Sequence, residues 1–353
     1  MMDKKWNVKI SNHAQVGGIE TSILDNGNGK GTRIAWINTG SGLRFKVVID
    51  RAMDIAEAFY NQHSLAWLSH LGVTPPQPFS NSGTNWLKTF GGGLLTTCGL
   101  DHVGGTEVDS FGERGLHGQI SNTPAEIESI SQPDILTGKM EMSIRGKMKQ
   151  TQIFGPSYEL IRTISGRIGV PEIIIQDEIR NVGNEPIPLM MLYHINFGWP
   201  LVDEGTEILW NGSWISREGE AAAKIFREGN NFRKCPALRP DHTGSGEEAA
   251  FISPITDHNG FCTCGLYNSK IGLAVEVKFD KNQLPWLINW QHWGEREYVT
   301  ALEPATNPPT GQASARRESS LMFLEPGACK KIDLTLTVLD DRIKIGNLLK
   351  KFN

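Results

Sequence analysis

The sequence has few cysteines, no long apolar run and no concentration of positive charge. Among its 353 residues are five cysteines, an odd and sparse count that indicates free thiols in a reducing compartment. No stretch of about 18 apolar residues occurs, so no membrane span is expected. The N-terminal segment lacks the apolar core of a signal peptide, and we therefore expect a cytoplasmic protein.

Charged residues of both signs are mixed along the chain. The 35 Lys+Arg and 39 Asp+Glu give a formal net charge of -4. Because no basic stripe is present, no nucleic-acid partner is expected. A chain of this length buries roughly 75% of its unfolded surface, so a large core can form without disulfides or a metal. The sequence leaves open whether the protein forms a homodimer.

Apolar and polar residues alternate in several segments, a pattern that predicts half-buried strands. These segments are 140–148, 172–180, 271–279 and 332–338. The mostly apolar Ile187–His194 is typical of a strand buried on both faces. Helical signals are few, one of them at 341–351. Together with the turns that 38 glycines and 18 prolines allow, these signals predict an all-β antiparallel sandwich or barrel.

No internal repeat, low-complexity tract or linker divides the chain. We therefore predict a single domain over residues 1–353, with N-terminal strands in 1–50, a core in 51–340 and a short C-terminal helix in 341–353. The segment 228–250 is rich in residues that favour turns, and it is expected to be a surface excursion.

Three short phrases each carry one proton-transfer residue: Gly-Leu-His117-Gly, Tyr-His194-Ile-Asn-Phe and Ala-Leu-Glu303-Pro. Two histidines and a carboxylate suffice for an acid/base reaction that needs no cofactor. Each residue also has a structural explanation. His194 fits a buried histidine bonded to a carbonyl, and Glu303 fits an exposed residue before a turn. Prolines after Glu303 are expected to end the strand at Tyr298–Leu302.

A glycine-rich stretch, Phe90–Cys98, lacks the Lys-Ser/Thr of a phosphate loop. Its glycines instead indicate a sharp bend or a backbone that passes close to a ligand. Asp101 and His102 follow it and are candidate ligand contacts. With Cys98 and His117 they could form a metal set, but the spacing matches no strong zinc pattern, so no metal is expected.

Further candidate contacts lie near two other predicted strands. Arg51 and Asp54 follow Phe45–Ile49 and form either a structural ion pair or a contact to sugar hydroxyls or an acidic group. Asn196 makes a polar pocket around His194 more plausible.

Tryptophans cluster in the segment that precedes Glu303. Trp286, Trp290 and Trp293 fall within eight residues, with Gln291 among them. Tryptophan faces stack on sugars, although tryptophan is also an ordinary core residue. We select Gln291 and Trp293 as candidate substrate contacts.

Taken together, these phrases resemble the aldose 1-epimerase (galactose mutarotase-like) superfamily, most closely its branch catalogued as a domain of unknown function. The resemblance extends from about Arg51 to Val338. Gly115–Gly118 is similar to a Leu-His-Gly motif, Tyr193–Phe197 to a strand that carries a histidine, and Ala301–Pro304 to a segment that carries a glutamate. No single motif is specific, but their order and spacing together are.

The resemblance implies a large mutarotase-like β-sandwich that binds a monosaccharide or modified sugar without a cofactor. It implies that Glu303 is the general base, His194 the general acid and His117 a helper near the ring oxygen. The family's hydroxyl-holding aspartate has no convincing match in Asp241 or Asp257, and Arg51 stands in for the usual arginine. The candidate substrate-binding residues are Arg51, Asp54, Asp101, His102, Asn196, Gln291 and Trp293.

Two other functions remain open on this scaffold. One is a different sugar-active enzyme, either a lyase or isomerase of a modified sugar or a glycoside hydrolase. Hydrolysis needs a second carboxylate, such as Asp54, Asp101 or Asp257, across the cleft from Glu303. The other is a sugar-binding protein without catalytic activity.

Overall fold

Antiparallel sheets make up most of the computed structural model, which describes residues 7–219 and 221–352. The strands are β1 (Gly18–Ile23), β2 (Arg33–Asn38), β3 (Leu43–Val48), β4 (Asp54–Tyr60), β5 (His63–Ser64), β6 (Thr96–Leu100), β7 (Glu107–Asp109), β8 (Gly112–Arg114), β9 (Glu126–Ser131), β10 (Glu141–Thr151), β11 (Ser157–Arg167), β12 (Val170–Asn181), β13 (Ile187–Phe197), β14 (Glu207–Leu209), β15 (Gly212–Ser216), β16 (Glu248–Pro254), β17 (Phe261–Asn268), β18 (Leu273–Asp280), β19 (Trp286–Gly294), β20 (Glu297–Ala305), β21 (Met322–Leu324) and β22 (Cys329–Leu339). The α-helices are α1 (Gln312–Arg317) and α2 (Arg342–Leu349), and short 3-10 turns include Pro78–Asn81 and Asn85–Lys88.

The strands form three larger sheets and one hairpin. Strands β1 to β5 pair in sequence order. The eight-stranded sheet has the order β14-β17-β18-β22-β12-β11-β10-β9. The seven-stranded sheet has the order β15-β16-β19-β20-β13-β21, with β6 also paired to β13, and β7 pairs with β8. One continuous apolar core joins the larger sheets and includes Phe45, Ile164 and Tyr193. The all-β antiparallel sandwich is thus confirmed.

The alternating segments form strands where period-two patterning predicts them. In β10 the apolar Met142, Ile144 and Met148 are buried, while the alternate residues Ser143, Arg145 and Lys147 are more exposed. The other three patterns lie in β12, β18 and β22. Every residue of β13 is buried, because sheet neighbours and core cover both of its faces.

Two local expectations are wrong. The strand that carries Glu303 does not end at Leu302 but continues to Ala305, with Glu303 opposite Ile288. Pro304 is tolerated there although it has no N–H to donate to the ladder. The segment 228–250 is also more than a surface excursion, since Cys235 is buried and residues from Glu248 onward form β16.

The C-terminal helix forms as expected, and only part of its apolar surface packs against the sandwich. Asp341 caps α2 by accepting hydrogen bonds from the N–H groups of Ile343 and Lys344 at 2.9 and 3.0 Å. Ile345 and Leu348 pack against the sandwich, while Ile343 is exposed. Neither described α-helix is long and apolar enough to cross a membrane.

Candidate active site

His194 and Glu303 form a buried cross-strand pair. The register that pairs Ile195 of β13 with Leu302 of β20 places His194 directly opposite Glu303. The Nε2 atom of His194 lies 3.2 Å from the Oε1 atom of Glu303, and their side chains are only 8% and 4% exposed. Two neighbouring strands in the middle of a sheet thus hold both groups, which makes their separation rigid.

The two groups touch without a well-aligned hydrogen bond. Oε1 of Glu303 has no aligned hydrogen-bond partner among the described residues, in spite of the short distance to His194. Burial, reinforced by the nearby charge of Glu247, raises the pKa of Glu303 well above its usual value, and Arg217 opposes the shift. Burial lowers the pKa of His194 to about 4, and the Asn196 side chain opposes that shift. Over the range between these values the pair holds one proton.

His117 reaches this pair from a tight turn rather than from a strand. Its backbone has a φ of 57°, its N–H donates to the carbonyl of Gly104 at 2.9 Å, and its carbonyl accepts from Gly99 at 3.0 Å. A Cβ on Gly115 would collide with the carbonyl oxygen of Asn81, and one on Gly118 with that of Gly99. The two glycines around His117 therefore allow the close backbone approaches that fix this turn.

The His117 ring faces His194 and an aromatic wall. Its centroid lies 6.2 Å from that of His194 and 4.9 Å from that of Trp86. The residue is partly exposed, but its Nδ1 atom is buried and has no hydrogen-bond partner within the described chain. Burial, together with the positive charge that His194 can carry, lowers the pKa of His117 to about 3. The ring is therefore neutral at physiological pH.

The three residues line one cleft of about 860 Å³. Aromatic rings surround the His194–Glu303 pair: the His194 ring centroid lies 5.2 Å from that of Phe90 and 5.5 Å from that of Trp290. Trp86 stacks on Phe90 with 4.3 Å between centroids. Apolar walls with a few converging polar groups are typical of small-molecule sites.

Arg217 and Glu247 form an ion pair that lines the same cleft. Nη2 of Arg217 lies 2.9 Å from Oε1 of Glu247, and the Trp290 indole N–H donates to the other Glu247 oxygen. Both charges act on the pKa of Glu303. The sequence did not indicate either residue. Arg217 follows β15 and Glu247 precedes β16, and only tertiary folding brings these strand ends to the cleft.

Arg51 lies outside the cleft, in the support behind its aromatic wall. Its guanidinium donates to the carbonyls of Ser121 and Thr89 and to the Thr74 hydroxyl, the last at 2.7 Å. Burial lowers the pKa of Arg51 to about 10. It lines a separate cavity of about 70 Å³ and ties together loops around Trp86.

Asp54 belongs to a buried ionic network rather than to the cleft. Its carboxylate accepts from the Thr97 N–H and hydroxyl and contacts Arg162 at 3.2 Å. Arg162 also donates to Asp177 at 2.8 and 2.6 Å, and Asp177 accepts from the Tyr193 hydroxyl at 2.6 Å. The network joins all three larger sheets directly behind His194.

Asp101 and His102 hold the loop that positions His117. The His102 ring donates from Nε2 to the Gly105 carbonyl at 2.6 Å and accepts at Nδ1 from the Gln312 N–H at 3.3 Å. The Asp101 carbonyl accepts from the Gln312 side chain at 2.7 Å. Gly104 and Gly105 line the cleft, whereas the ring of His102 is fully buried behind them.

Asn196 lies behind His194 and is fully buried. Its amide group donates to the carbonyls of Gly93 and His194, both at 3.0 Å. It opposes the fall in the pKa of His194 and is not among the residues that line the cleft.

Gln291 and Trp293 point away from the cleft that His194 and Glu303 line. The Trp293 indole donates to Gln291 at 3.1 Å, and both side chains line a separate pocket of about 220 Å³. The cleft instead receives the alternate residues of β19, namely Ile288, Trp290 and His292. Ile288 pairs with Glu303 and so shares its face of the sheet. Since side chains alternate between the faces of a strand, the even-numbered residues of β19 point into the cleft.

The residues brought together are thus His117, His194 and Glu303, with Trp67, His70, Trp86, Phe90, Arg217, Glu247, Trp290 and His292 around them. Within residues 7–219 and 221–352, no group of three or more His, Cys, Asp or Glu side chains is arranged to hold a metal.

Solved structures with the same architecture define the class of fold as galactose mutarotase-like. A proposed aldose 1-epimerase from Klebsiella pneumoniae has a TM-score of 0.84 at 23% identity, over 97% of this chain and 90% of that chain. A galactose mutarotase-like protein from Clostridium acetobutylicum has a TM-score of 0.63 at 12% identity, over 92% and 98%. A galactose 1-epimerase from Lactobacillus acidophilus has a TM-score of 0.58 at 11% identity, over 91% and 98%. Such identities establish the fold alone.

The chain belongs to the family described as domain of unknown function DUF4432, which matches residues 29–338. This match confirms the branch indicated by the three sequence phrases. No protein of curated function matches the chain.

Proposed function

We propose that the protein is an aldose 1-epimerase-like enzyme that interconverts the anomers of a sugar by acid/base ring opening. The observation that supports this most is the buried contact of 3.2 Å between His194 and Glu303 inside an aromatic cleft. An acid and a base at this separation can reach the anomeric hydroxyl and the ring oxygen of one hemiacetal.

In the proposed reaction, Glu303 takes the proton of the anomeric hydroxyl and His194 protonates the ring oxygen. The bond between C1 and the ring oxygen breaks, and C1 becomes a carbonyl. Rotation about C1–C2 presents the other carbonyl face, and closure returns both protons with the roles reversed. His117 stabilises charge near the ring oxygen. No proton is gained or lost overall, so no cofactor is needed.

The resting proton of the pair lies on Glu303, since burial raises the pKa of Glu303 and lowers that of His194. A sugar hydroxyl that donates to Glu303 favours the carboxylate. The proton then moves to His194, and the pair becomes the base and acid that the reaction uses. Arg217 and Glu247 would bind other sugar hydroxyls, the role for which Asp241 and Asp257 were unconvincing candidates. Asp241 instead pairs with Arg239, and Asp257 accepts a hydrogen bond from the N–H of Asn259 in a turn.

The fold and the site lend less support to glycoside hydrolysis. Neither Asp54, Asp101 nor Asp257 is among the residues that line the cleft with Glu303. Glu247 does line it, but its two oxygens are engaged by Arg217 and Trp290.

The test is the rate at which pure anomers of a panel of aldoses mutarotate, followed by polarimetry. Glu303→Gln and His194→Ala are each expected to lose about 10²–10⁴-fold in rate while retaining the wild-type circular dichroism spectrum. Glu325→Gln and His258→Ala, which change exposed residues outside the cleft, are the matched controls. Normal activity of Glu303→Gln on the true substrate would refute the mechanism.

A further inference from the structure

The cleft extends along β19 well beyond the catalytic pair. Ile288 lies opposite Glu303 in the register, and Trp290 and His292 follow on the same face. Four residues of antiparallel strand span about 13 Å. This length exceeds that of a single pyranose ring, so a sugar bound at Glu303 leaves the far end of the cleft open.

The open end has a rigid aromatic wall. A Cβ on Gly92 would lie 2.7 Å from the Trp67 ring, and one on Gly198 would lie 2.7 Å from the Trp67 Cα. Both glycines thus let Trp67 pack against the backbone. Its ring centroid lies 5.8 Å from that of Phe90 and 6.4 Å from that of Trp290. The aromatic surface is therefore continuous from the catalytic pair outward.

Polar groups face this wall at the outer end. Oε2 of Glu297 lies 3.6 Å from Nε2 of His292, and Oε1 lies 4.0 Å from Nε2 of His70. The Gly246 carbonyl accepts from Nδ1 of His292 and so fixes that ring. No lysine or arginine of the described chain pairs with Glu297. Its carboxylate and the two imidazoles can therefore exchange hydrogen bonds with hydroxyl groups.

We propose that Trp67, His70, His292 and Glu297 form a second sugar subsite, and that the substrate is a reducing disaccharide. The reducing ring would lie beside His194 and Glu303, with its anomeric hydroxyl at Glu303 and its ring oxygen at His194. The second ring would place an apolar face on Trp67 and its hydroxyls towards Glu297. The carboxylate of Glu297 disfavours an acidic second ring. This inference rests on the proposed function, because that function fixes which end of the substrate enters first.

The test compares anomer exchange of cellobiose, maltose and lactose with that of glucose, the reducing-end ring of all three. We expect the kcat/KM for at least one disaccharide to exceed that for glucose by roughly three- to tenfold, the worth of one aromatic contact. His70→Ala and Glu297→Gln should reduce this ratio towards one, and His258→Ala should leave it unchanged. Equal kcat/KM values for glucose and all three disaccharides would overturn the subsite.

A binding measurement separates this inference from the proposed function. ¹⁵N-labelled Glu303→Gln protein is titrated with the same sugars, and the indole N–H signal of Trp67 is followed, assigned with Trp67→Phe. A shift with a disaccharide but not with glucose supports the subsite, even if the wild type exchanges no anomers. Exchange of glucose by the wild type, with no Trp67 shift for any disaccharide, refutes the subsite and leaves the function standing.

Discussion

Buried imidazole and carboxyl groups in contact share protons as a unit. Where the Glu303 pKa is raised and the His194 pKa is lowered, the pair titrates with one low and one high apparent value. Between these values it holds a single proton and can act as acid and base together. In the proposed reaction, ring opening and ring closing exchange those roles, so the same pair would serve both directions.

The pH dependence of kcat/KM should report this pair. Below about pH 4 His194 is also protonated, so the pair lacks a base and the rate falls. Above the raised pKa of Glu303 the pair lacks an acid, and the rate falls again. We expect a plateau between the two limbs in buffer-corrected initial rates. A basic limb near the ordinary glutamate pKa would contradict this account.

Glu303→Gln should also stabilise the fold while it removes activity. In the unfolded chain Glu303 ionises near the ordinary glutamate pKa of 4.5, whereas the folded chain holds its proton to a higher pH. Wild-type stability is therefore lost as the pH rises from 4.5 through the raised pKa. Glutamine does not titrate, so the Tm of Glu303→Gln should exceed that of the wild type by more at about pH 8 than at about pH 5. A constant difference would argue against a raised pKa.

At the scale of elements, strand β13 connects the site to the frame of the sandwich. His194 and Tyr193 are adjacent on β13. His194 faces the cleft, and Tyr193 enters the Arg162–Asp177–Asp54 network. Since consecutive side chains point to opposite faces, a network on one face fixes the backbone that carries His194 on the other.

Removal of Arg162 should be strongly destabilising. Arg162→Met leaves Asp54 and Asp177 buried without their cation, which costs about 3–5 kcal/mol in unfolding free energy. Arg145→Met is the matched control on the neighbouring strand, where a partly exposed pair with Glu128 contributes about 1 kcal/mol or less. Urea denaturation measures both values. Similar losses for the two variants would refute a structural role for the network.

The sequence could predict many of the strands and the three residues that meet in the cleft, but only part of what surrounds them. The alternation of apolar and polar residues identifies β10 and β22, because a strand buried on one face shows this pattern in its own sequence. It could not assign the inward face of β19, which depends on register against β20. For that reason the sequence favours Gln291 and Trp293, whereas the structure places Trp290 and His292 in the cleft.

The sequence does not show whether a polar residue contacts a ligand or supports the fold. Arg51, Asp54 and His102 carry groups that could contact a ligand, yet all three support the site from behind. A buried ionic network and a ligand contact require the same residue types, and only the three-dimensional arrangement separates them. The sequence does not indicate Arg217 and Glu247 at all, since no local pattern links them to Glu303.

At the scale of the whole molecule, one apolar core spans the larger sheets. We therefore expect residues 1–353 to unfold as a single domain, with one calorimetric transition that intrinsic tryptophan fluorescence follows in parallel. Limited proteolysis after residue 50 should not release a stable 51–340 fragment. Two separated transitions, or survival of that fragment, would show that the N-terminal strands form a unit of their own.

If His194 and Glu303 act as an acid/base pair, the protein exchanges the anomers of a sugar. Magnetisation-transfer NMR at equilibrium measures that exchange directly, across a panel of monosaccharides and reducing disaccharides. We predict that the wild type accelerates exchange between the two anomeric proton signals of at least one sugar, and that Glu303→Gln reduces this acceleration by about 10²–10⁴-fold. Binding of a sugar with no acceleration by the wild type, or equal acceleration by Glu303→Gln, would contradict the account.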